Sequence, residues 1–317
     1  MTDTALAPGT TGTAGEPEPF SVLMSVYGGD NAEQFRRAVR SATVEQTLRP
    51  DELVVVQDGP LPPALAVAVD DLAFAGSYSP AGAVPTRVVR LPQNRGLARA
   101  LQAGLAACSH DIVARADADD INLPERFEIQ VPLVRDGLDL VGSAITEFEE
   151  EGAPLGMTRL LPTDPEEIAA VARFRDPFNH PSVVYRRSAV DRAGGYRHLD
   201  LMEDYWLFAR MIRTGARVAN VPHSLVLYRV GDGAYARRGG MRLLRSEWAL
   251  QSCLYAEGFI QAKHLARNLA VRGVYRLVPE SVRKPIYQSV ISRRGRRSRT
   301  AGGQHQARAF HGATGAR

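Results

Sequence analysis

Short apolar runs alternate with amphipathic stretches along the first 145 residues. The apolar runs predict buried strands over Ser21–Val26, Leu53–Val56, Arg87–Leu91 and Ile112–Ala114. The stretches between them place apolar residues three or four positions apart and predict helices, the first of them capped by Asp30 or Asn31. Strands that alternate with helices favour a parallel sheet with helices on both faces.

The pattern is less regular after residue 120. Pro124 predicts the first turn of a helix, and further strands are expected over Leu138–Val141 and Ser182–Tyr185. Helices are expected over Pro165–Phe174, over Glu203–Arg213 and, as two or three segments, within residues 241–290. The pattern as a whole predicts an α/β fold that ends in a helical extension.

Polar residues stand where the predicted strands of the first part end. They are Tyr27, Asp58, Asn94, Asp117 and Asp119. Right-handed crossovers bring the carboxyl ends of parallel strands to one edge of the sheet, where open α/β sheets bind their ligands. We therefore expect one polar crevice at that edge.

The acidic run of Asp117, Asp119 and Asp120 is the sharpest chemical signal. Three carboxylates within four residues repel one another unless a cation sits among them. Carboxylate oxygens suit Mg²⁺ or Mn²⁺, which bind through one or two carboxylates together with substrate phosphates. A solvated turn whose aspartate caps the next helix is the structural alternative, and the position after the fourth strand favours the metal.

A second acidic pair, Glu203 and Asp204, opens the predicted helix that carries Trp206. The positive end of a helix stabilises an anionic carboxylate, and an ionised carboxylate is what a general base must be. Ordinary acidic residues in a first helical turn are the alternative interpretation.

Two motifs on the first part of the chain are weaker. Asp58 can accept a hydrogen bond from the base or ribose of a nucleotide, or it can shape the turn before Gly59 and Pro60. Asn94 and Arg95 open the next helix, so they can face a diphosphate or cap that helix.

Two further motifs lie on the second part. His180 can contact the acceptor or the diphosphate, or it can be a hydrogen-bonded structural histidine. Arg237 and Arg238 stand beside glycines and can close over phosphates, although a basic surface loop fits equally well.

Charge is distributed unevenly along the 317 residues. The net charge is +4, but residues 281–317 hold nine basic side chains and no acidic one, which leaves 30 basic against 35 acidic residues elsewhere. A basic tail attracts anionic lipid or nucleic acid, whereas an acidic body argues against a nucleic-acid-binding fold. We expect no nucleic-acid partner.

The remaining composition excludes several classes of protein. No apolar run approaches the length of a membrane span, and the first 19 residues lack the basic start and apolar stretch of a secretory signal. The only two cysteines, Cys108 and Cys253, exclude a disulfide scaffold and a zinc–cysteine site and fit a cytoplasmic protein. No Gly-x-Gly-x-x-Gly follows the first strand, which disfavours a dinucleotide cofactor.

The ordered motifs resemble the inverting glycosyltransferases of family 2, which have the GT-A fold, and in particular the bacterial enzymes of capsule, exopolysaccharide and cell-wall glycan assembly. The resemblance covers residues 19–255. It rests on the segments PFSVLMSVYGGD, DELVVVQDGP, NRGLARALQAGL, VARADADDINLPERFEIQ, DPFNHPSVVYRRSAV, GGYRHLDLMEDYWLFARMIRTG and YARRGG.

The resemblance implies roles for the donor side of the site. Tyr27 and Asp58 would contact the base and ribose of a nucleotide-diphosphate sugar, and Asp117 would hold the ribose or sugar. Asp119 would coordinate the divalent metal, Mn²⁺ or Mg²⁺, that bridges the diphosphate. Many relatives add a histidine after the last strand, but Val230 and Gly231 follow Tyr-Arg here, so the third protein ligand is missing from that point.

The resemblance also implies the base and the domain limits. Asp204 would be the catalytic base, with Glu203 beside it. Glu203, His180, Arg237 and Arg238 would be secondary candidates for binding the nucleotide sugar. A nucleotide-binding half would cover residues 19–145 and an acceptor half residues 146–255. Disordered ends are expected at 1–18 and 291–317, with C-terminal helices over 256–290.

The implied reaction is transfer of the sugar, with inversion, to a hydroxyl of a glycan or lipid-linked acceptor. The basic C-terminal region adds a candidate contact with the anionic inner face of the plasma membrane. Two alternatives stay open. One is a nucleotidyltransferase acting on sugar phosphates, and the other is a non-catalytic protein that binds membrane or nucleic acid through its basic tail.

Overall fold

A nine-stranded sheet forms the centre of the fold in a computed structural model, which describes residues 17–75, 84–231 and 241–277. Several predictions fall outside these ranges: those for Arg237 and Arg238, for nearly all of the 1–18 segment, for residues 278–290 and for the 291–317 tail. The described residues contain no helix that combines the length and the apolar character needed to cross a bilayer.

The first half of the sheet has the predicted alternation of strands and helices. Its four parallel strands are β1 (Phe20–Tyr27), β2 (Glu52–Asp58), β3 (Thr86–Leu91) and β4 (Ile112–Asp117), which lie in the order β3-β2-β1-β4. The helices between them are α1 (Ala32–Ala42), α2 (Pro63–Ala75) and α3 (Leu97–Ala107). Asn31, and not Asp30, caps α1 by accepting hydrogen bonds from the next turn.

The second half continues the same sheet with mixed directions. Its strands are β5 (Ile121–Asn122), β6 (Leu140–Phe148), β7 (Thr158–Arg159), β8 (Val184–Arg186) and β9 (Val218–Arg229). Strand β8 runs antiparallel to both β4 and β6, while β9 runs parallel to β6. The sheet is therefore parallel through its first four strands and mixed beyond them.

Six helices and one short turn complete the described chain. The helices are α4 (Arg126–Arg135), α5 (Pro165–Val171), α6 (Arg187–Arg192), α7 (Glu203–Arg213), α8 (Met241–Ala256) and α9 (Ala262–Leu277), and a single 3₁₀ turn covers His180–Ser182. The predicted limits of α7 are confirmed.

Several local predictions were wrong at their boundaries, and the helix expected over Pro165–Phe174 ends at Val171. Pro124 does not start a helix: it lies in a turn closed by the Arg126 N–H on the Leu123 carbonyl (3.0 Å), and α4 begins after it. The strand predicted over Leu138–Val141 extends to Phe148, because all nine residues of β6 are buried despite their polar members. Ser182 belongs to the 3₁₀ turn, where its hydroxyl accepts from Ser143 N–H, so β8 starts later.

Two apolar layers cover the sheet. Helices α1, α2 and α4 pack on one face through side chains such as Phe35, Leu65 and Phe127. Helices α3, α6 and α7 pack on the other through Leu101, Val190 and Phe208, among others. Helix α7 therefore shares a face of the sheet with α3.

Candidate active site

The carboxyl ends of β1, β2 and β4 meet at one edge, as predicted. Tyr27 pairs with Asp58 across β1 and β2, and Ser25 pairs with Asp117 across β1 and β4. Tyr27 is half exposed, and its ring lies so close to Gly29 that any added Cβ would stand within 2.6 Å of it. The polar residues expected at this edge of the sheet are therefore found there.

Asp58 is buried and organises the loop that follows β3. Its two carboxylate oxygens accept hydrogen bonds from the backbone N–H groups of Arg95 (2.7 Å) and Gly96 (2.9 Å). Gly59 follows with φ of 86°, and a Cβ there would lie 2.4 Å from Asn94 N. This packing holds Asn94 and Arg95, which are exposed, beside the end of β2.

The acidic run forms a compact cluster beyond β4. Asp117, Asp119 and Asp120 each place one carboxylate oxygen within 4.8 Å of the others. Asp117 pairs with the guanidinium of Arg115, which is almost completely buried. The described residues provide no hydrogen-bond partner for two of the Arg115 nitrogens, Nε and Nη1.

The last strand holds the cluster in place. The N–H of Arg229 donates to an oxygen of Asp120 (2.8 Å), and the Arg229 Nε donates to the carbonyl of Asp119 (2.9 Å). Arg229 thus contacts the acidic run through its backbone N–H and its guanidinium. It lies next to the position where the expected histidine ligand is missing.

The carboxylates of the cluster repel one another, and their burial disfavours the charged form. Burial, followed by the charge of Asp117, raises the pKa of Asp119 to about 6. Burial and the charges of Asp117 and Asp119 hold the pKa of Asp120 well above its ordinary value. Asp120 also keeps one buried oxygen, Oδ2, without a partner among the described residues.

A fourth carboxylate, that of Asp30, lies close enough to the acidic cluster to be affected by its charges. It accepts the Tyr27 N–H (2.9 Å), which lowers its pKa, yet burial and the charges of Asp119 and Asp117 raise that pKa to about 7. Crowded carboxylates and an orphaned buried oxygen are the donor set that a hard divalent cation satisfies, so these residues fit a metal.

The second acidic pair sits at the first turn of α7. The Asp204 side chain is 26% exposed, and its Oδ1 accepts the N–H of Tyr205 (2.7 Å). Burial raises the pKa of Asp204, and the hydrogen bond from the Tyr205 N–H and the positive charge of Arg115 offset part of this rise. Burial and the charge of Asp204 raise the pKa of Glu203 to about 7.

His180 lies behind Asp204 in the protein interior. Its Nδ1 is 3.6 Å from the Asp204 Oδ2, and its Nε2 is 2.8 Å from the hydroxyl of Tyr196. Burial and the nearby charge of Arg115 hold the pKa of His180 well below its ordinary value, so the ring is neutral and the contact with Asp204 is not an ion pair.

Tyr196 is held in place by groups far away in the sequence. Its N–H donates to the Gln102 side chain (2.8 Å), and the buried Arg210 donates to the carbonyls of Ala193 and of Gly195 (2.8 Å). The turn that delivers the hydroxyl to His180 is therefore braced from α3 and from α7.

Arg115 connects the two acidic groups electrostatically. It pairs with Asp117. Its positive charge also offsets part of the rise in the pKa values of Asp119, Asp204 and Glu203. The charge of Asp117 in turn raises the pKa of Asp204. The metal-type cluster and the acidic pair thus share one electrostatic environment on one side of the molecule.

Sequence reasoning did not assign Arg115, Asp30 or Tyr196 to the site. The sequence pattern indicates only a capping role for Asp30, and it does not single out Arg115. No local pattern marks Tyr196, because its partners come from distant parts of the chain.

Comparison with known proteins gives a consistent result. The sequence profile described as glycosyl transferase family 2 matches residues 21–194. The chain is 37% identical over 274 residues to the amylovoran biosynthesis glycosyltransferase AmsE of Erwinia amylovora, with 85% of this chain and 98% of that protein covered.

Two further proteins extend the comparison. An Escherichia coli protein named UDP-Gal:alpha-D-GlcNAc-diphosphoundecaprenol beta-1,3-galactosyltransferase is 33% identical over 276 residues, covering 86% of this chain and 97% of its own. The solved mannosyltransferase PcManGT from Pyrobaculum calidifontis, in complex with GDP-Man and Mn²⁺, has a TM-score of 0.56 at 18% identity, covering 90% of this chain and 84% of its own.

The profile match covers more than half of the chain, and the relatives align over most of it. The structural neighbour shares the mixed α/β architecture with a central sheet between helices, which confirms the predicted GT-A fold. The protein belongs to glycosyl transferase family 2 and is a glycosyltransferase.

Proposed function

We propose that this glycosyltransferase transfers a sugar, with inversion, from a nucleoside-diphosphate sugar to a hydroxyl of a lipid-linked or glycan acceptor, with Asp204 as the base. The observation that carries the proposal is the pairing of two acidic groups around Arg115. One group has the crowding of a cation site, and the other is a partly exposed carboxylate at a helix start.

The donor side would be built on the edge of the parallel strands. Tyr27 is placed to face the base, Asp58 shapes the loop that carries Asn94 and Arg95, and those two exposed residues are placed to face the diphosphate. Asp119 would hold the divalent cation with Asp117 as its second ligand. Such a cation, when bound, neutralises charge on the departing nucleoside diphosphate.

The acceptor side would be built around Asp204. Its Oδ1 is occupied by the Tyr205 N–H, so Oδ2, on the side of His180, is the oxygen that receives the acceptor proton. The acceptor oxygen forms its new bond to the anomeric carbon as the bond from that carbon to the diphosphate breaks. The bonding electrons leave with the diphosphate, and an α-linked donor gives a β-glycoside.

Neutral His180 would position Asp204 without competing for its proton. A charged imidazole at 3.6 Å would stabilise the anionic carboxylate and weaken it as a base. Burial keeps the ring neutral, and the Tyr196 hydroxyl fixes which way the ring faces. His180 and Tyr196 are therefore positioning residues in this proposal.

The acceptor class is proposed from the relatives. The Escherichia coli relative is named for an acceptor sugar on diphosphoundecaprenol, and AmsE is named for polysaccharide biosynthesis. An acceptor of that kind would place this enzyme on the cytoplasmic surface of the membrane, where the basic C-terminal region would meet anionic lipid.

A product analysis tests the proposal. A panel of nucleoside-diphosphate sugars is first ranked by the thermal stabilisation that each gives with Mn²⁺. The best donor is then incubated with a short-chain lipid-diphosphate N-acetylglucosamine, and the new anomeric centre is assigned by NMR. A β-linked product from an α-linked donor supports the proposal, while an α-linked product, or release of a sugar phosphate with a mononucleotide, contradicts it.

A further inference from the structure

The outer face of α8 exposes large apolar side chains. Met241 is 63% exposed and Trp248 60%, more than any other large apolar residue in the described ranges, and Tyr255 is 49% exposed. These three residues are spaced by seven positions, which is close to two turns of a helix. They form one line about 21 Å long on the surface of the helix. We call this line the α8 stripe.

The α8 stripe is not needed to hold the helix on the protein. Leu243, Leu250 and Leu254 lie on the opposite side of α8 and are buried. Leu250 and Leu254 pack against Tyr205 and Ala209 of α7. A surface helix ordinarily has one apolar face, so a second apolar face directed at solvent indicates a binding surface.

A basic residue lies beside the α8 stripe, and the chain that follows α8 is rich in cations. Arg245 is exposed on the same side of α8. Helix α9 has the cations Lys263, Arg267, Arg272 and Arg276 in its sequence and no acidic residue. The chain then carries nine more cations and no acid over residues 281–317. An anionic surface is the charge complement of this part of the protein.

The α8 stripe begins beside the proposed acceptor site. The guanidinium of Arg242 makes two hydrogen bonds to the carboxylate of Asp200, at 2.6 and 2.8 Å. Asp200 precedes Leu201, which is exposed, and Leu201 lies two residues before the start of α7. A surface that touched the stripe would therefore lie near the end of α7 that carries Asp204.

We propose that α8 lies along an anionic lipid bilayer, with Met241, Trp248 and Tyr255 entering the interface and the neighbouring cations at the headgroups. Tryptophan and tyrosine favour that boundary because each has an apolar ring and a polar group. Exposed apolar residues together with cations are the pattern of an interfacial helix. The inference rests on the proposed function in one respect, which is that the bilayer would carry the lipid-linked acceptor.

Bilayer entry is tested directly by the fluorescence of Trp248. The chain has two tryptophans, and Trp206 is only partly exposed, with the guanidinium of Arg210 over its ring at 5.0 Å. Full-length Trp206→Phe protein leaves Trp248 as the only tryptophan. We expect its emission to shift to the blue on vesicles of phosphatidylcholine with one-third phosphatidylglycerol, and to be quenched when the acyl chains are brominated.

Paired variants connect this signal to the α8 stripe. Trp248→Ser with Tyr255→Ser should weaken binding to the same vesicles about tenfold, because two interfacial side chains are removed. Val67→Ser with Leu155→Ser is the matched control, since these residues are 53% and 54% exposed on other parts of the surface. The control pair should bind as the parent protein does.

Three results would overturn the inference. The first is that anionic vesicles do not retain the protein. The second is retention without bromolipid quenching, which would assign binding to the basic tail alone. The third is Trp248 emission that depends on protein concentration without vesicles, which would assign the stripe to a second copy. The vesicle experiment contains no sugar donor and no acceptor. Its outcome therefore does not depend on the outcome of the product analysis.

Discussion

The two sides of the candidate site are built in different ways. The donor side uses the ends of neighbouring parallel strands, where Tyr27, Asp58 and Asp117 are placed by strand register alone. The acceptor side uses a helix start, a 3₁₀ turn and a glycine turn, which bring together Asp204, His180 and Tyr196 from separate parts of the chain.

This difference explains how each side keeps its geometry. Strand ends in a parallel sheet are fixed by backbone hydrogen bonds, so on the donor side contacts such as those of Asp58 and Arg229 are added to an existing backbone frame. The acceptor side has no common backbone frame and depends on buried polar side chains such as Gln102 and Arg210. Substitutions should therefore act locally on the donor side and more cooperatively on the acceptor side.

The largest effect is expected on the acceptor side. Asp204→Asn keeps the shape of the side chain but removes the proposed base, so kcat should fall about 10³-fold. Donor binding in the presence of Mn²⁺, measured by calorimetry, should stay within about twofold of the parent protein. Turnover close to that of the parent protein would contradict the assignment of the base.

The donor side should respond in the opposite way. Asp119→Ala removes the proposed main ligand of the cation, so the affinity for the nucleotide sugar in Mn²⁺ should fall at least about 100-fold. Asp136→Ala is the control, because this aspartate follows α4 outside the acidic cluster. Unchanged affinity of the Asp119 variant would remove the metal role.

One buried side chain joins the two halves of the sheet. The guanidinium of Arg126 donates to the carbonyls of Arg115 (2.7 Å) and Val183 (3.3 Å), and burial, followed by the charge of Arg115, lowers its pKa to about 9. Arg126→Met should lower the free energy of unfolding by about 2 kcal/mol, because buried acceptors lose their donor. Urea unfolding measures this change, and an unchanged midpoint would show that the brace is dispensable.

The smallest effect concerns the pH dependence of the acceptor side. The charge of Asp204 raises the pKa of Glu203, and by reciprocity an anionic Glu203 raises that of Asp204. A base loses activity when it is protonated, so kcat should fall as pH drops through the pKa of Asp204. Glu203 takes up its proton near pH 7 while Asp204 is still ionised, so the uncharged Glu203→Gln should leave the pH of that fall unchanged within about half a unit. A shift of a full unit would contradict this order of protonation.

The donor side was largely predictable from the sequence because its information is local. An apolar run followed by Gly, Asp or Asn marks both the strand and the polar group at its end, and parallel topology then brings those ends together. Asp117, Asp119 and Asp58 were expected at this edge and are found there. The sequence did not show that Asp58 is already engaged by Arg95 and Gly96.

The acceptor side was predictable only in part. The periodic apolar residues of α7 gave its limits correctly, and with them the position of Asp204 at the first turn. The contact of His180 with Tyr196 depends on a turn that distant residues hold in place, so no spacing of residues in the sequence predicts it. Strand β6 was underestimated because its polar residues are buried by neighbours that local pattern does not reveal.

By itself, the sequence determined the order of strands and helices from β1 to β4, the acidic run after β4 and the acidic pair at the start of α7, because hydrophobic period and capping act over a few residues. Only the tertiary structure decided that the buried Arg115 acts on both acidic groups, that Tyr196 meets His180, and that α8 turns a second apolar face outward. Those outcomes depend on which distant surfaces pack together, and packing is a property of the whole fold.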